Sequence, residues 1–358
     1  MGLYVFGSNS VSQLGLGEDV LVVDNPMVHP FFNGKHIICV AAGGLHSLVY
    51  TSDGLFSFGC NDEFALGRDG DESVPGKVEI VGNIVKMCCG NSYSAVLTDK
   101  GEVYAWGTFR GPGGVLGFDG VTKFQKVPKK LKVKGIVDLK GGQNHILMMD
   151  RKNNVYSYGS GQYGELGYKI LRRFKKQGLN VKTAAHSRGK VKAIKDIGCG
   201  AFQSFLINRK DEVYGWGKNI TGELGTGDKI TSHLKRKIDI ADVKEINGGE
   251  GHTLFLTNKG DLYAAGTNLF GQLGIEQKES EIPAKIDLKN VSEISTFSFS
   301  NICRVGNSLY SWGANHYGEL GYKPSGNQIV PKKIEFDFGK IKTIASGHDF
   351  TLVVTENK

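Results

Sequence analysis

The sequence predicts an all-β fold, a seven-bladed β-propeller with four-stranded blades, and three observations support this prediction. An aromatic-Gly pair is followed eight residues later by Leu-Gly, and the phrase recurs about every fifty residues, which indicates a repeat architecture. Each repeat contains short β-rich runs separated by turn signals. Glycine supplies 51 of 358 residues, roughly twice its usual share, and favours tight turns and close backbone packing. The seven copies begin at Phe6, Phe58, Trp106, Tyr158, Trp216, Ala265 and Trp312.

The order of elements is the same in most repeats. A glycine-containing anchor such as Gly44-Leu45-His46 precedes an apolar run, and a turn signal such as Ser52-Asp53-Gly54 leads into a second, alternating run. Two short β-rich runs joined by such a turn predict a hairpin. The sequence has no long apolar period of 3.6 residues, so helices are not expected to dominate.

The two ends of the chain predict how the ring closes. The last repeat stops after residues 352–358, where other repeats continue into the strand that ends in aromatic-Gly. Residues 2–7 supply that strand, because joining the chain ends recreates the pattern of residues 99–104. We therefore expect one domain over residues 1–358, with the N-terminal strand 2–7 completing the last blade so that no sheet edge stays open.

The formal net charge of +8 is unevenly distributed along the chain. Residues 123–195 hold 19 Lys and Arg against 3 Asp and Glu, a net charge of +16, which leaves −8 for the remainder. A basic block on an acidic body indicates an acidic partner on one side. An ordinary solvated charged surface is the alternative interpretation.

Other features exclude whole classes of function. None of the six cysteines forms a Cys-x-x-Cys pair, which favours reduced thiols over a disulfide frame or a metal site. We found no signal peptide and no apolar run of membrane-spanning length, so no membrane partner is expected. Residues 159–164 fit a dinucleotide-binding glycine pattern, but they repeat the turn of the other copies and no helical pattern follows. We therefore expect no cofactor, no metal and no covalent catalysis.

Two repeats depart from the common pattern. In the third repeat Gly107 and Gly117 are ten residues apart rather than eight, so residues 108–116 are expected to protrude, with a neutral loop insertion as the alternative. After the fourth Leu-Gly, residues 168–195 form a predicted basic loop with no acidic residue. Such a loop suits phosphate groups or an acidic protein patch, and residues 171–176 could alternatively be a nuclear import signal.

These two breaks, together with the stretches 58–69 and 106–117, closely resemble the regulator of chromosome condensation family, whose members are exchange factors for the small GTPase Ran. The resemblance covers essentially the whole chain. It implies a protein that binds the nucleotide-free GTPase more tightly than the GDP or GTP form, which accelerates nucleotide release without covalent chemistry.

The resemblance also implies a set of GTPase-binding residues. The insertion matches the wedge that this family places beside the nucleotide site, and its residues here are Phe109, Arg110, Gly111, Pro112, Gly113, Gly114 and Val115. The anchor loops expected to face the GTPase contain His46, Asn91, Asn144 and His252. Family members commonly carry acidic residues where this chain has the two asparagines, and the lost charge bears on exchange rate more than on docking. The alternative role for the histidines is to hold blade loops together.

The basic loop resembles the family segment that docks an arginine on the acidic patch of the histone octamer. The match lies in residues 186–189, so Arg188 is the predicted docking residue. The other cations expected at the nucleosome are Arg172, Arg173, Lys175, Lys176 and Lys190. We find no counterpart of the family's basic N-terminal tail, so chromatin binding is expected to be weaker or to rest on the loop alone. The predicted partners are Ran, the histone acidic patch and DNA phosphates, and we expect a monomer in the nucleus.

Two other functions compete with exchange. The second hypothesis is a propeller scaffold that binds chromatin or a GTPase without efficient exchange activity. A hydrolytic or lyase propeller is a third class, but no acid, base or metal constellation in the sequence supports it.

Overall fold

The computed structural model describes residues 2–111, 113–170, 182–183, 191 and 193–356, with residues 182–183 described by their backbone alone. The chain forms thirty short strands and one turn of 3-10 helix at Pro30–Phe32 within these residues. The strands are β1 Gly2–Ser8, β2 Val22–Val28, β3 Ile37–Ala42, β4 His46–Thr51, β5 Gly54–Gly59, β6 Gly76–Val78, β7 Ile84–Cys89, β8 Tyr93–Thr98, β9 Val103–Gly107, β10 Phe109–Gly111, β11 Gly114–Gly117, β12 Gln125–Lys130, β13 Ile136–Gly141, β14 His145–Asp150, β15 Val155–Gly159, β16 Lys182–Thr183, β17 Ile194–Cys199, β18 Gln203–Asn208, β19 Val213–Gly217, β20 Ser232–Ile238, β21 Val243–Gly249, β22 His252–Thr257, β23 Leu262–Thr267, β24 Glu279–Ile286, β25 Val291–Thr296, β26 Ser300–Val305, β27 Ser308–Gly313, β28 Gln328–Lys333, β29 Ile341–Ser346 and β30 Phe350–Thr355.

The strands pair into antiparallel sheets arranged as a propeller, which confirms the predicted all-β propeller fold. Five sheets have four strands each: β2-β1-β30-β29, β3-β4-β5-β6, β12-β9-β8-β7, β13-β14-β15-β16 and β25-β26-β27-β28. A sixth sheet has eight strands, in the order β20-β19-β18-β17-β21-β22-β23-β24. One parallel bridge, from Cys199 to Asn247, joins its two halves. The pair β10-β11 stands apart as a two-stranded hairpin.

The first strand of the chain lies in the same sheet as the last. β1 pairs antiparallel with β30 from Gly2 opposite Thr355 to Gly7 opposite Phe350, and β2 covers its other edge. This is the pairing that the joined chain ends predicted. Because both edges of β1 are hydrogen-bonded, the strand offers no free edge to another chain.

The recurring motif has a direct structural reason. In several repeats the glycine of Leu-Gly lies against the aromatic ring of the next aromatic-Gly, as Gly15 does at Phe58, Gly67 at Trp106 and Gly274 at Trp312. Gly67 has a φ of +69°, and a Cβ there would lie 2.5 Å from Trp106 Nε1, so only glycine fits. The carbonyl of Ala65 accepts hydrogen bonds from Trp106 Nε1 (2.7 Å) and from Ser94 Oγ (2.8 Å). Neighbouring repeats are therefore joined by packing and hydrogen bonds at the same point.

Backbone hydrogen bonds also connect the anchor loops, which link the first and second strands of each blade. The N–H of Gly44 donates to Gly90, that of Asn91 to Gln143 and that of Gln143 to Ala201. In antiparallel four-stranded blades these loops and the links between third and fourth strands leave the sheet at the same end. One face of the propeller, called the loop face below, therefore carries both the anchor loops and the turns that contain Leu-Gly.

Candidate functional site

The insertion in the third repeat forms a projecting hairpin on the loop face. Its strands are β10 and β11, with Arg110 opposite Val115 and Gly111 opposite Gly114. A Cβ added at Gly111, Gly113 or Gly114 would meet no atom within 4 Å. The hairpin therefore has a free tip, and residues 109–117 are called the wedge hairpin below. Pro112, predicted to belong to the same contact surface, lies outside the described residues.

The base of the wedge hairpin is anchored by an aromatic cluster. Phe109 is fully buried, with its ring centroid 4.7 Å from that of Tyr93 and 4.9 Å from that of Tyr158. The hydroxyl of Tyr93 donates to the carbonyl of Gly142 at 2.8 Å, which ties the cluster to the next blade. This corrects the prediction for Phe109, because its side chain faces the core and cannot form part of the contact surface.

Two polar contacts fix the direction in which the hairpin leaves the blade. Asn144 is buried, and its Oδ1 accepts the backbone N–H of Arg110 at 2.9 Å. The guanidinium of Arg110 forms an ion pair with Glu63, with 2.5 Å between Nη1 and Oε1. The side chain of Arg110 is nevertheless 46% exposed, so it remains accessible beside the free tip. Sequence reasoning missed Glu63, because nothing in the sequence relates it to a residue 47 positions away.

Asn91 lies on the neighbouring anchor loop. It is half-buried, and its side-chain amide donates to Gln143 Oε1 at 3.5 Å. Its position links the anchor loop of the third blade to that of the fourth, which carries Asn144. The structure thus brings Asn91, Asn144 and the wedge hairpin to one part of the loop face.

The histidines His46 and His252 are fully buried. His46 Nε2 lies 2.8 Å from Ser94 Oγ, and His252 Nε2 lies 2.7 Å from Asn301 Oδ1. Both partners belong to the next blade, and His145 makes the same kind of bond to Ser204 at 2.9 Å. The expectation that His46 and His252 face a partner is corrected for these side chains, because neither has exposed surface. Their geometry fits the alternative role of holding blade loops together.

The hydrogen bonds define the protonation state of these histidines. Ser94 Oγ donates its only hydrogen to the carbonyl of Ala65, so it must accept from His46 Nε2–H. Burial lowers the pKa of His46 and of His252 to about 4 because the charged imidazolium would lose its hydration. Both rings are therefore neutral near pH 7 and act as hydrogen-bond donors between blades.

The predicted nucleosome-binding site lies outside the described residues. The nucleosome-binding residues predicted in the basic loop are all among the residues that the structure does not describe: Arg172, Arg173, Lys175, Lys176, Arg188 and Lys190. Among the described residues, no group of three or more His, Cys, Asp or Glu side chains is arranged to hold a metal ion. The described part of the chain also contains no helix long and apolar enough to cross a membrane.

Known proteins are similar to this chain in sequence. The chain is 36% identical over 237 residues to the Regulator of chromosome condensation of Mus musculus, covering 62% of this chain and 56% of that protein. It is 30% identical over 272 residues to the Guanine nucleotide exchange factor SRM1 of Saccharomyces cerevisiae, covering 64% of this chain and 55% of that protein. The chain thus spans about half the length of the curated relatives it matches.

A solved structure is similar over nearly the whole chain. The crystal structure of Prp20p from Saccharomyces cerevisiae, described with its binding properties to Gsp1p and histones, superposes with a TM-score of 0.91 at 27% identity. The match covers 98% of this chain and 90% of Prp20p. The family model of the RCC1-like domain matches residues 2–353. The chain therefore belongs to the RCC1-like domain family.

Proposed function

We propose that this protein is a guanine-nucleotide exchange factor for the small GTPase Ran, acting through the wedge hairpin. The observation that carries the proposal is the contrast between the buried base of the hairpin at Phe109 and its free tip at Gly113. A rigid projection can contact a GTPase whose nucleotide site is empty and be excluded when nucleotide fills it. Stronger binding to the empty form lowers the barrier to GDP release.

The chain's own residues supply orientation and charge for this step. Asn144 holds the backbone of Arg110, and Glu63 holds its guanidinium, so few conformations are lost when the hairpin meets a partner. The exposed surface of Arg110, with glycines at the tip, suits the phosphate-binding loop of a GTPase, where backbone must approach backbone closely. The SRM1 relative, which is named as a guanine nucleotide exchange factor, supports the assignment, as does the Gsp1p binding described for Prp20p.

Chromatin docking is the second part of the proposal. The basic loop at residues 168–195 would place Arg188 on the histone acidic patch, with neighbouring cations near DNA phosphates. The histone binding described for Prp20p supports this half. We further propose a monomeric nuclear protein with seven blades, in which the eight-stranded sheet counts as two blades of four strands.

The scaffold hypothesis remains the second candidate because of Asn91 and Asn144. The resembling family commonly has acidic residues at these positions, and an amide keeps the hydrogen-bonding shape but lacks the charge. Asn144 accepts the N–H of Arg110, so the hairpin keeps its geometry without that charge. Docking without fast exchange is the outcome that this hypothesis predicts.

Release of fluorescent GDP from Ran tests the proposal. The protein should accelerate release, and replacing residues 110–114 with the two residues Asn-Gly should remove the acceleration while Phe109 keeps the core intact. A matched control changes Ile220, exposed on the ordinary turn of the fifth repeat, to Gly and should leave exchange unchanged. Acceleration that survives loss of the hairpin would refute the wedge assignment, and binding to Ran without acceleration would favour the scaffold.

Nucleosome binding tests the second half. Arg188→Glu should weaken binding, and binding of the unaltered protein should weaken as salt increases. Unchanged binding by Arg188→Glu would reject the basic loop as the docking element without affecting the exchange assignment.

A further inference from the structure

A comparison between repeats reveals a charge reversal at the outer rim of the third blade. In four blades a buried apolar residue lies at the end of the outer strand or directly after it, and the next residue is exposed. A backbone hydrogen bond spans this position in four blades, where it joins Val133 to Leu131, Ile240 to Ile238, Leu288 to Ile286 and Phe336 to Ile334. The enclosed residues are therefore structurally equivalent. They are Lys132, Asp239, Asp287 and Glu335.

This position carries an acidic residue in three of these four blades and a lysine, Lys132, in the blade of the third repeat. The reversal belongs to a longer stretch, because residues 123–135 contain six lysines and no acidic residue. Leu131 and Val133 are each 7% exposed, so they point inwards while Lys130, Lys132 and Lys134 point outwards. The chain bends at Lys132, where the bond from Val133 to Leu131 closes a tight turn, and the three lysine side chains form a row along the outer side of this bend.

Further exposed cations flank this row. The turn between β8 and β9 carries Lys100, and the backbone of Gly101 accepts a hydrogen bond from Ile136, just after Lys134. The turn between β14 and β15 carries Arg151, whose N–H donates to Gly135 at 3.0 Å, and Lys152 follows it. These turns leave the sheets at the end opposite the loop face. The surface formed by Lys100, Lys132, Lys134, Arg151 and Lys152 is called the basic rim below.

Three acidic residues lie near the rim, and one of them, Asp99 beside Lys100, is exposed and accepts a hydrogen bond from Asn83 Nδ2 at 2.9 Å. Glu102 pairs with Lys130, and Asp150 is buried, accepting hydrogen bonds from the backbone N–H groups of Lys152 and Asn154. Among the described residues, Lys132 and Lys134 form no ion pair. The five exposed cations of the rim therefore outnumber the one exposed carboxylate beside them, and the rim carries a net positive charge.

We propose that the basic rim binds the phosphate backbone of duplex DNA, as a surface separate from both the wedge hairpin and Arg188. A protein partner would need an apolar centre for its contact, whereas Leu131 and Val133 are almost inaccessible. A phosphate backbone requires only accessible cations and binds them whatever its sequence. The lysines supply the accessible cations that a phosphate backbone requires, and the rim lacks the apolar centre that a protein partner would need.

The rim is also continuous with the proposed docking loop. Tyr156 lines an open groove of about 610 Å³ together with Lys130, Lys132 and Lys134. The same Tyr156 pairs with Thr183 of β16, which lies within residues 168–195. DNA on the rim would thus pass beside the segment proposed to reach the histones. The inference deepens the chromatin part of the proposed function and rests on it, but it does not depend on exchange activity.

The test measures binding of a fluorescent duplex of arbitrary sequence by anisotropy over a series of salt concentrations. The variant Lys132→Gln/Lys134→Gln should bind several-fold more weakly, and the slope of log K against log salt should fall by about 2, since each phosphate contact contributes about 0.9. The matched control is Lys259→Gln/Lys289→Gln, which removes two exposed charges from the sixth repeat at positions equivalent to Lys100 and Lys134. It should leave the slope unchanged.

Several outcomes would overturn the inference. An unchanged slope in the rim variant, or an equal loss in the control, would reject a local DNA surface. Loss of binding to polyglutamate with unchanged duplex binding would instead assign the rim to an acidic protein. GDP release from Ran should be the same in the rim variant and the unaltered protein, so failure of the rim is distinguishable from failure of exchange. Nucleosome binding by Arg188→Glu reports separately on the basic loop.

Discussion

The wedge hairpin and the corresponding turn of the fifth repeat occupy the same place in their blades but are stabilised in opposite ways. In the fifth repeat, Asn219 is buried and its Oδ1 accepts the N–H of Leu224 at 2.9 Å, which closes the turn on itself. The third repeat has Phe109 at the position of Asn219, and its ring is buried against Tyr93 and Tyr158. Substituting an aromatic anchor for an internal hydrogen bond leaves the turn free to extend outwards.

The same bond closes the ordinary turns of four other repeats. The pairs, from leucine N–H to asparagine Oδ1, are Leu14 to Asn9, Leu66 to Asn61, Leu273 to Asn268 and Leu320 to Asn315. Five repeats therefore share the asparagine closure, whereas the third repeat has Phe109 and the fourth has Gly161 at that position. The third repeat shows that a projecting element can be made from a repeated fold by moving its anchor from the turn to the core.

The junction beneath the hairpin also differs in its response to acid, and this gives the largest expected effect. Anchor-loop histidines join neighbouring blades at His46, His145 and His252, whereas Tyr93 occupies the equivalent position in the third repeat. Burial lowers the pKa of each histidine from 6.5 to about 4. The unfolded chain then binds more protons between these values, so the free energy of unfolding should fall as pH decreases from about 6.5 to 4.

Urea denaturation at several pH values checks this prediction. Each histidine contributes up to about 3 kcal/mol to the loss, at about 1.4 kcal/mol per pKa unit. His46→Gln should reduce the slope of the free energy of unfolding against pH by the amount that corresponds to about one bound proton, because one titrating group is removed. Burial raises the pKa of Glu165 to about 8, so its contribution is present below 4.5 and is lost as pH rises towards 8. Comparing the variant with the unaltered protein cancels that opposite effect, and equal slopes would contradict the prediction.

Phe109→Ala tests the aromatic anchor and should have the next largest effect. Removing a fully buried phenyl ring that contacts Tyr93 and Tyr158 should cost about 3–5 kcal/mol in the free energy of unfolding. Val115→Ala, on the half-buried strand of the hairpin, is the control and should cost less than about 1 kcal/mol. Similar losses for the two variants would show that the hairpin has no distinct anchored base.

The sequence predicted the fold well because its strongest signals are local. The contact between Gly67 and Trp106 recurs between Gly15 and Phe58 and between Gly274 and Trp312, so it leaves a visible period. The insertion was visible as two extra residues. The burial of Phe109 and the role of Glu63 were not, because both depend on contacts across blades. The interblade bond of His46 spans 48 residues and leaves no local pattern, so its structural role could only be an alternative.

Asn219→Ala tests the closed turn and should have a smaller effect. The N–H of Leu224 would lose its acceptor in a fully buried position, which costs about 1–3 kcal/mol. The same urea titration measures the loss. GDP release from Ran should be unaffected, because the fifth repeat carries no projecting element in the proposed mechanism. A fall in exchange comparable to that of the hairpin replacement would mean that the two regions do not differ in function.

Arg110→Ala should have the smallest effect on stability and the most informative effect on exchange. The ion pair with Glu63 is partly exposed, so its loss should change the free energy of unfolding by less than about 1 kcal/mol. The backbone bond to Asn144 is retained, so the hairpin keeps its direction. Glu63→Gln removes the same ion pair and leaves the arginine. If Arg110 contacts the GTPase, exchange should fall further in Arg110→Ala than in Glu63→Gln; equal losses would mean that the arginine only orients the hairpin.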